Sequence, residues 1–367
     1  MIGDQTHQCC LWTVRKEDKD MSKKLFDFAI GNPPYQDQTI GENTTYAPPV
    51  YNHFLDEAYK VAGKVEMIHP ARFLFNAGST PKAWNKKMLE DPNFKVLHYE
   101  ADSSKVFSNT DIKGGVVVSY RDDEKDFGAI EIFTPYDELN SILSKVRFNR
   151  KFESFSDIIV TSYAYHFIED VYKDYPEAKG SLSKGHEYDF KSNVFEKMPM
   201  VFAMQKPNDG EPYVRVLGRL NNERAYRFLK EKYVNSVCNL HSYKLFMSGA
   251  TGTGKFGETI AEPIVGLPGD ASTETFLSIG TFDDESCVYA VTKYIKSKFA
   301  RALFGILKRT QANTPGKWAW VPLQDFTSKS DIDWSKSIHD IDLQLYRKYK
   351  LSAEEVAFIE TNVKEME

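Results

Sequence analysis

The chain lacks any apolar run of membrane-spanning length and any signal-peptide pattern at its N-terminus. Those absences exclude a helical membrane protein and a secreted one, and imply a cytoplasmic protein. Cysteine is scarce: Cys9, Cys10, Cys238 and Cys287 are the only four, with no C-x-x-C spacing among them. Neither a disulfide framework nor a zinc site is expected, and no metal is assigned. No internal repeat or low-complexity tract occurs, which excludes a repeat architecture. Positive charge is short as well, since the formal net charge is −5. That balance argues against a non-specific nucleic-acid coat while leaving room for a local basic groove. The remaining composition is that of a globular protein, 41% hydrophobic and 27% charged. At 367 residues the chain can hold two domains, each with its own core.

Against this background one stretch carries chemistry. The apolar run Leu25-Phe-Asp-Phe-Ala-Ile30 reads as a strand that enters Asn32-Pro33-Pro34-Tyr35. Proline fixes φ and lacks a backbone N–H, so carbonyls in such a turn stay free as acceptors. The turn sets one amide, Asn32, and one aromatic ring, Tyr35, at the mouth of a site. An amide oxygen and a carbonyl aimed at one amino group orient its nitrogen lone pair toward an electrophile. The ring stacks on the planar base that bears the amino group.

Downstream of a polar loop from Gln36 to about Ala47, suited to close over a base, strands and helices alternate. Tyr51, Phe54, Leu55, Ala58 and Ala62 have helical spacing, and Val65–Ile68 is a short buried strand. A helix around Trp84, Met88 and Leu89 follows, then strands at Phe94–Tyr99 and Val116–Tyr120. This order predicts an α/β fold: part of a doubly wound sheet with a terminal antiparallel pair. After a helix near Glu138–Val146 the sequence becomes rich in Tyr and Phe, with turns at Asp209-Gly210 and Pro268-Gly269. The expected organisation is a leader or upstream remnant over 1–20, a catalytic domain over 21–148 and a second domain over 149–367.

The tetrapeptide Asn32–Tyr35 resembles the catalytic motif of amino-group methyltransferases, above all the adenine-specific (N6) DNA methyltransferases of restriction–modification systems. His69-Pro70-Ala71-Arg72-Phe73 is similar to the motif that follows the fifth strand in that family. Val106-Phe107-Ser108, followed by Gly114-Gly115 and an apolar strand, is similar to the late motif whose aromatic residue holds the extruded base. The resemblance implies a partial Rossmann-like methyltransferase sheet followed by a mixed α+β target-recognition domain. It implies methyl transfer from S-adenosylmethionine to a flipped adenine of double-stranded DNA. By the same resemblance Asn32 and the Pro33 carbonyl accept from the amino group, Pro34 shapes the turn, Tyr35 stacks, and Phe107 steadies the ring opposite. The family places a Gly-rich cofactor turn before this motif. Thirty-one residues precede Asn32 and contain no Gly-x-Gly, so the cofactor-binding residues are unassigned. A partner polypeptide is expected to supply the cofactor-binding half or a nuclease. The same tetrapeptide occurs in enzymes acting on protein glutamine and on ribosomal RNA guanine. Those substrates, and a non-catalytic DNA specificity module, stay open as alternatives.

Candidate DNA contacts lie in the second half. Gly249-Ala-Thr-Gly-Thr-Gly254-Lys255 has phosphate-loop spacing, but Phe256 stands where a magnesium-binding Ser or Thr is required. The expectation is a Gly-rich loop that carries Lys255 to DNA phosphates, its backbone free to approach a phosphodiester. Val288–Lys308 reads as one helix, with Lys293, Arg301 and Lys308 on a face apart from its apolar stripe. In the loop that follows, Gln311 and Asn313 have side chains suited to an adenine edge in the major groove.

Overall fold

Strand β1 (Phe26–Gly31) grows from the apolar run before the proline turn and pairs in parallel with β2 (Ala62–Pro70). The connection between them contains helix α1 (Tyr51–Val61), whose Tyr51, Leu55 and Ala58 are buried. Helix α2 (Lys82–Glu90) then leads to β3 (Phe94–Glu100) and β4 (Val116–Asp122). Strand β4 inserts antiparallel between β2 and β3, giving the order β1-β2-β4-β3. The alternating α/β pattern and the late antiparallel pair are those expected from the sequence. In this computed structural model the described residues are 24–37, 47–76, 78–108, 112, 114–148, 152–308 and 310–367. The proposed leader, residues 1–20, lies outside them.

One face of this sheet is the core. Tyr51 and Leu55 of α1 and Trp84, Met88 and Leu89 of α2 pack with Phe73, Phe94 and Val117. The opposite face is open among the described residues. Phe28 and Ile30 retain 59% and 77% of their accessible surface, and among the described residues β1 pairs with β2 alone.

The chain divides into compact units between Pro135 and Tyr136. Helix α3 (Asp137–Arg147), which the sequence reading put at the end of the catalytic domain, falls in the second unit. Its Ser141 and Lys145 both bond the carboxylate of Glu355, each at 2.7 Å. Short elements follow: β5 (Ile159–Val160), α4 (Asp170–Asp174) and α5 (Val194–Lys197). A long hairpin of β6 (Tyr213–Leu220) and β7 (Glu223–Lys230) precedes β8 (Tyr243–Ser248), β9 (Ile264–Gly266), β10 (Asp270–Ser272) and β11 (Phe276–Phe282). They form two sheets, ordered β10-β6-β7 and β5-β11-β8-β9. Helices α6 (Glu285–Lys296), α7 (Lys298–Leu307), α8 (Ile338–Lys348) and α9 (Ala353–Asn362) complete the unit.

The single helix expected over Val288–Lys308 is two helices. Ser297 has extended backbone angles, φ −60° and ψ 147°, and its side chain accepts from Ala300 N. Asp342 reinforces the break by accepting from Lys298 N at 3.0 Å and Phe299 N at 2.9 Å. Two caps on one helix start outweigh the continuous apolar periodicity that suggested a single rod.

Candidate catalytic turn and nucleic-acid contacts

The proline turn sits at the C-terminal end of β1. Its exit is pinned: Tyr35 O accepts from Val50 N at 3.2 Å, Asp37 N donates to Pro48 O at 2.9 Å, and Gln36 bridges Pro49. These bonds hold the two stems of the polar loop, whose central residues 38–46 lie outside the described set. The Asn32 side chain is exposed, Pro33 is buried, and no described residue donates to the Pro33 carbonyl. Amide oxygen and carbonyl are thus both available to an incoming amino group. The Tyr35 hydroxyl is buried, with no hydrogen-bond partner of good geometry among the described residues. Burial pushes its pKa up, and the neighbouring Asn32 side chain offsets part of that shift.

Phe107 reaches the same place from 72 residues away, by a different route. Asp102 caps a 3-10 turn over Ser103–Lys105, and Phe107 N donates to Ser103 O at 2.8 Å. Gly115, at φ +78°, then turns the chain into β4 so close to β3 that any side chain would collide with the Glu100 carbonyl. The motif His69–Phe73 braces this bend rather than the base site. Ala71 N donates to Gly115 O at 3.0 Å, and Arg72 packs under Gly114. His69 is buried, stacked on Tyr51 and bonded to Ser119 Oγ at 2.8 Å, and burial lowers its pKa to about 4. The outcome is a ring pair: Tyr35 and Phe107 lie with centroids 6.3 Å apart and planes at 66°. That separation is direct edge-to-face contact. A base would have to displace one ring to lie between them, so the two sides of the expected clamp are brought together but closed on each other.

The cofactor that the motif implies does not find its site here. A charged cleft of about 390 Å³ opens among Lys24, Asp56, Tyr59, Lys87, Asp91 and Arg121, where β1 begins, one strand length from Asn32. Its walls are ion pairs closed on one another, Lys87–Asp56 at 2.8 Å and Arg121–Asp91 at 2.7 Å. No Gly-rich turn adjoins β1 among the described residues, so they do not fit S-adenosylmethionine. No cluster able to hold a metal occurs among them either.

In the second unit, three of the six expected DNA contacts, Arg301, Lys308 and Asn313, are buried, and a fourth, Lys293, is half-buried and engaged. Helix α7 is buried on every side from Phe299 to Ile306, Arg301 included. Arg301 donates to the carbonyls of Lys296 at 3.0 Å, Glu258 at 3.3 Å and Lys364, and burial pushes its pKa down to about 10. Lys308 is buried and donates to Thr251 O at 2.6 Å. Half-buried Lys293 donates to the carbonyls of Trp334, Ser335 and Lys336 at 2.8–3.2 Å. Asn313, fully buried, donates to Ser248 O and Thr251 Oγ1, both at 2.9 Å. The physical reason is shared: peptide carbonyls left unpaired by helices and strands take donors from side chains, and these side chains supply them. A lone charge within eight otherwise uncharged residues, Phe299–Ile306, was the signal for burial in the sequence.

Lys255 and Gln311 are exposed, and the fold brings their segments side by side: Thr251 N donates to Gln311 O at 2.8 Å. The Gly-rich backbone is not free for a phosphate, however. The Glu258 carboxylate already accepts from Thr253 N at 2.8 Å, Thr253 Oγ1 at 2.6 Å and Gly254 N at 3.1 Å. Those bonds, the Thr253 hydroxyl first, lower its pKa to about 2. The sequence reading missed this internal anion, which lies only three residues past Lys255.

Residues 6–107 match the sequence family described as the Eco57I restriction-modification methylase. No curated protein matches the chain. Among solved structures, the type IIG restriction endonuclease BpuSI aligns with 93% of this chain and 54% of its own, at 10% identity and a TM-score of 0.31. The type IIL restriction-modification enzyme MmeI, in complex with DNA, aligns with 91% of this chain and 56% of its own, at 10% identity and a TM-score of 0.32. The chain therefore spans about half the length of these structures, and likeness at this level carries no argument.

Proposed function

We propose that the N-terminal unit orients the amino group of an extruded adenine in a DNA N6-methyltransferase of a restriction–modification system. The observation that carries this reading is the proline turn. An exposed Asn32 amide and an unengaged Pro33 carbonyl stand next to the Tyr35–Phe107 ring pair. The family match over residues 6–107 supports methylation as the chemistry. Inside the stack an adenine amino group is inaccessible, so the base is flipped. Asn32 Oδ1 accepts one N6 hydrogen and the Pro33 carbonyl the other. The nitrogen lone pair then points out of the base plane toward the donor. Tyr35 stacks on one face of the base, and Phe107 rotates away from its present contact to meet the other side.

Strands paired to the open edge of β1 would complete a site for S-adenosylmethionine, which supplies the methyl group in this chemistry. The unpaired edge and the exposed Phe28 and Ile30 support such a companion segment, since open strand edges recruit further strands. The second unit would serve as the target-recognition domain, with Lys255 and Gln311 among its contacts.

The test joins the chain with the segment that completes β1 and measures N6-methyladenine formation in duplex DNA. Asn32→Ala should reduce the rate by at least about a hundredfold, the size of one preorganised polar contact, with duplex affinity unchanged. With 2-aminopurine as the target base, the fluorescence rise on flipping should shrink in Tyr35→Ala. Full methylation by Asn32→Ala would end this reading. A wild-type chain that binds duplex DNA but never methylates it with the sheet completed would favour a non-catalytic specificity module.

A further inference from the structure

The β6–β7 hairpin carries no recognised motif, yet its tip gathers exposed positive charge. Its register pairs eight residues on each strand, with Arg219 opposite Arg224, Leu217 opposite Tyr226 and Arg215 opposite Phe228. A two-residue turn, Asn221-Asn222, joins the strands, and both residues are left-handed at φ 50° and 69°. That geometry is the tight turn whose twist suits a hairpin.

The base of this ribbon is fixed and neutral. Val214, Val216, Leu217 and Leu229 are fully buried. Arg215 forms a two-pronged ion pair with Asp270, at 2.8 and 2.6 Å, and its guanidinium lies 4.7 Å from the Tyr226 ring centre. Ala203 and Phe228 exchange two backbone bonds of 2.8 Å, closing part of the outer edge.

The tip differs in every respect. Arg219, Asn221, Asn222, Glu223 and Arg224 are all exposed. Directly opposed residues on an antiparallel pair share a face, with Cβ atoms about 4.5–5.5 Å apart, and like charges there are destabilising. Among the described residues no carboxylate pairs with either guanidinium group: Arg224 reaches only the Glu262 carbonyl, at 3.3 Å, and Arg219 has no polar partner. The nearby acids are occupied or turned away: Glu196 accepts from Asn221 N at 3.4 Å, and Glu223 stands opposite Leu220 on the other face. Glycine would hold both turn positions with less strain. The asparagines add two side-chain amides at the very end of the ribbon.

We propose that the tip of the β6–β7 ribbon enters the major groove of duplex DNA, where Arg219 and Arg224 take backbone phosphates and Asn221 and Asn222 meet base edges. A two-stranded ribbon fits a groove about 12 Å wide, and asparagine pairs with adenine there. A polyanion turns the repulsion between the two arginines into attraction for both. The inference rests on the proposed substrate being DNA, and is independent of methyl transfer.

The experiment uses the full chain and a fluorescein-labelled mixed-sequence duplex, with affinity followed as salt rises. Arg219→Gln with Arg224→Gln should lower the slope of log affinity against log salt by about 1.8, two phosphate contacts at about 0.9 each. Lys179→Gln with Lys329→Gln removes the same charge from other exposed sites and should leave the slope as in the wild type. Asn221→Gly with Asn222→Gly preserves the turn, so it should keep the slope and broaden the sequences selected from a random duplex pool. Equal slopes for the arginine and lysine pairs would overturn the proposal, as would binding of single-stranded RNA with none of duplex DNA. Asn32→Ala should not alter the slope. A failed methylation assay with a positive slope test would therefore sink the catalytic reading and leave this one standing.

Discussion

Two sets of basic side chains in the second unit have opposite fates. Arg301 and Lys308, in and just after α7, direct their donors at peptide carbonyls inside the fold. Arg219 and Arg224, at the ribbon tip, are exposed and face each other with no carboxylate paired to either among the described residues, Arg224 touching only the Glu262 carbonyl. Equal formal charge thus does two jobs. In the interior it satisfies backbone acceptors that water cannot reach; at the tip it stays available to a phosphate. Which job a residue has depends on what its own element buries, and α7 buries every residue from Phe299 to Ile306.

The largest test of this contrast is Arg301→Met. It fills similar volume but leaves the carbonyls of Lys296, Glu258 and Lys364 without their donor. Urea unfolding should show a loss of roughly 3 kcal/mol or more, since bonds from a charged donor contribute about 1.5–3 kcal/mol each. Wild-type stability together with a reduced salt slope for DNA would place Arg301 in the other class. A smaller effect is expected from acid. Glu258 has its pKa lowered on folding, so its contribution is complete above about 4.5, its ordinary value, and is lost as pH falls toward about 2. Melting followed from pH 5 downward should therefore show a steeper decline in the wild type than in Glu258→Gln, which keeps the shape but does not titrate. Smallest of all is the ribbon itself. Arg219→Gln with Arg224→Gln should unfold within about 0.5 kcal/mol of the wild type, or slightly later, because it relieves a like-charge pair. A marked destabilisation would mean that the arginines hold the hairpin together.

Much of the N-terminal unit was legible because its signals are local. A strand, a proline turn and the alternation that follows are each set by neighbours within a few residues. The tetrapeptide carries Asn32 and Tyr35 in one reach of chain. Phe107 is joined to them in sequence only by the resemblance of its motif to a family's late motif, and it is positioned by the Ser103 turn and by Gly115. The contact of the two rings was not legible, since it depends on side-chain rotation across the sheet. In the second unit the reading failed where one pattern has two physical causes. Apolar spacing through Val288–Lys308 fits one amphipathic rod or two buried helices, and the Asp342 cap that decides lies 44 residues past Lys298. Asn221-Asn222 between two alternating segments was a hairpin signal in plain view, overlooked because no glycine accompanied it.

Strand β1 has a consequence for hydrogen–deuterium exchange. Amides of Phe26–Gly31 that point away from β2 have no acceptor among the described residues, whereas β2 and β4 are bonded on both sides. The isolated chain should therefore take up deuterium fastest at every second position of β1, long before the sheet interior opens. A polypeptide that adds a strand there would slow those positions alone, so the exchange pattern itself would identify the completing segment.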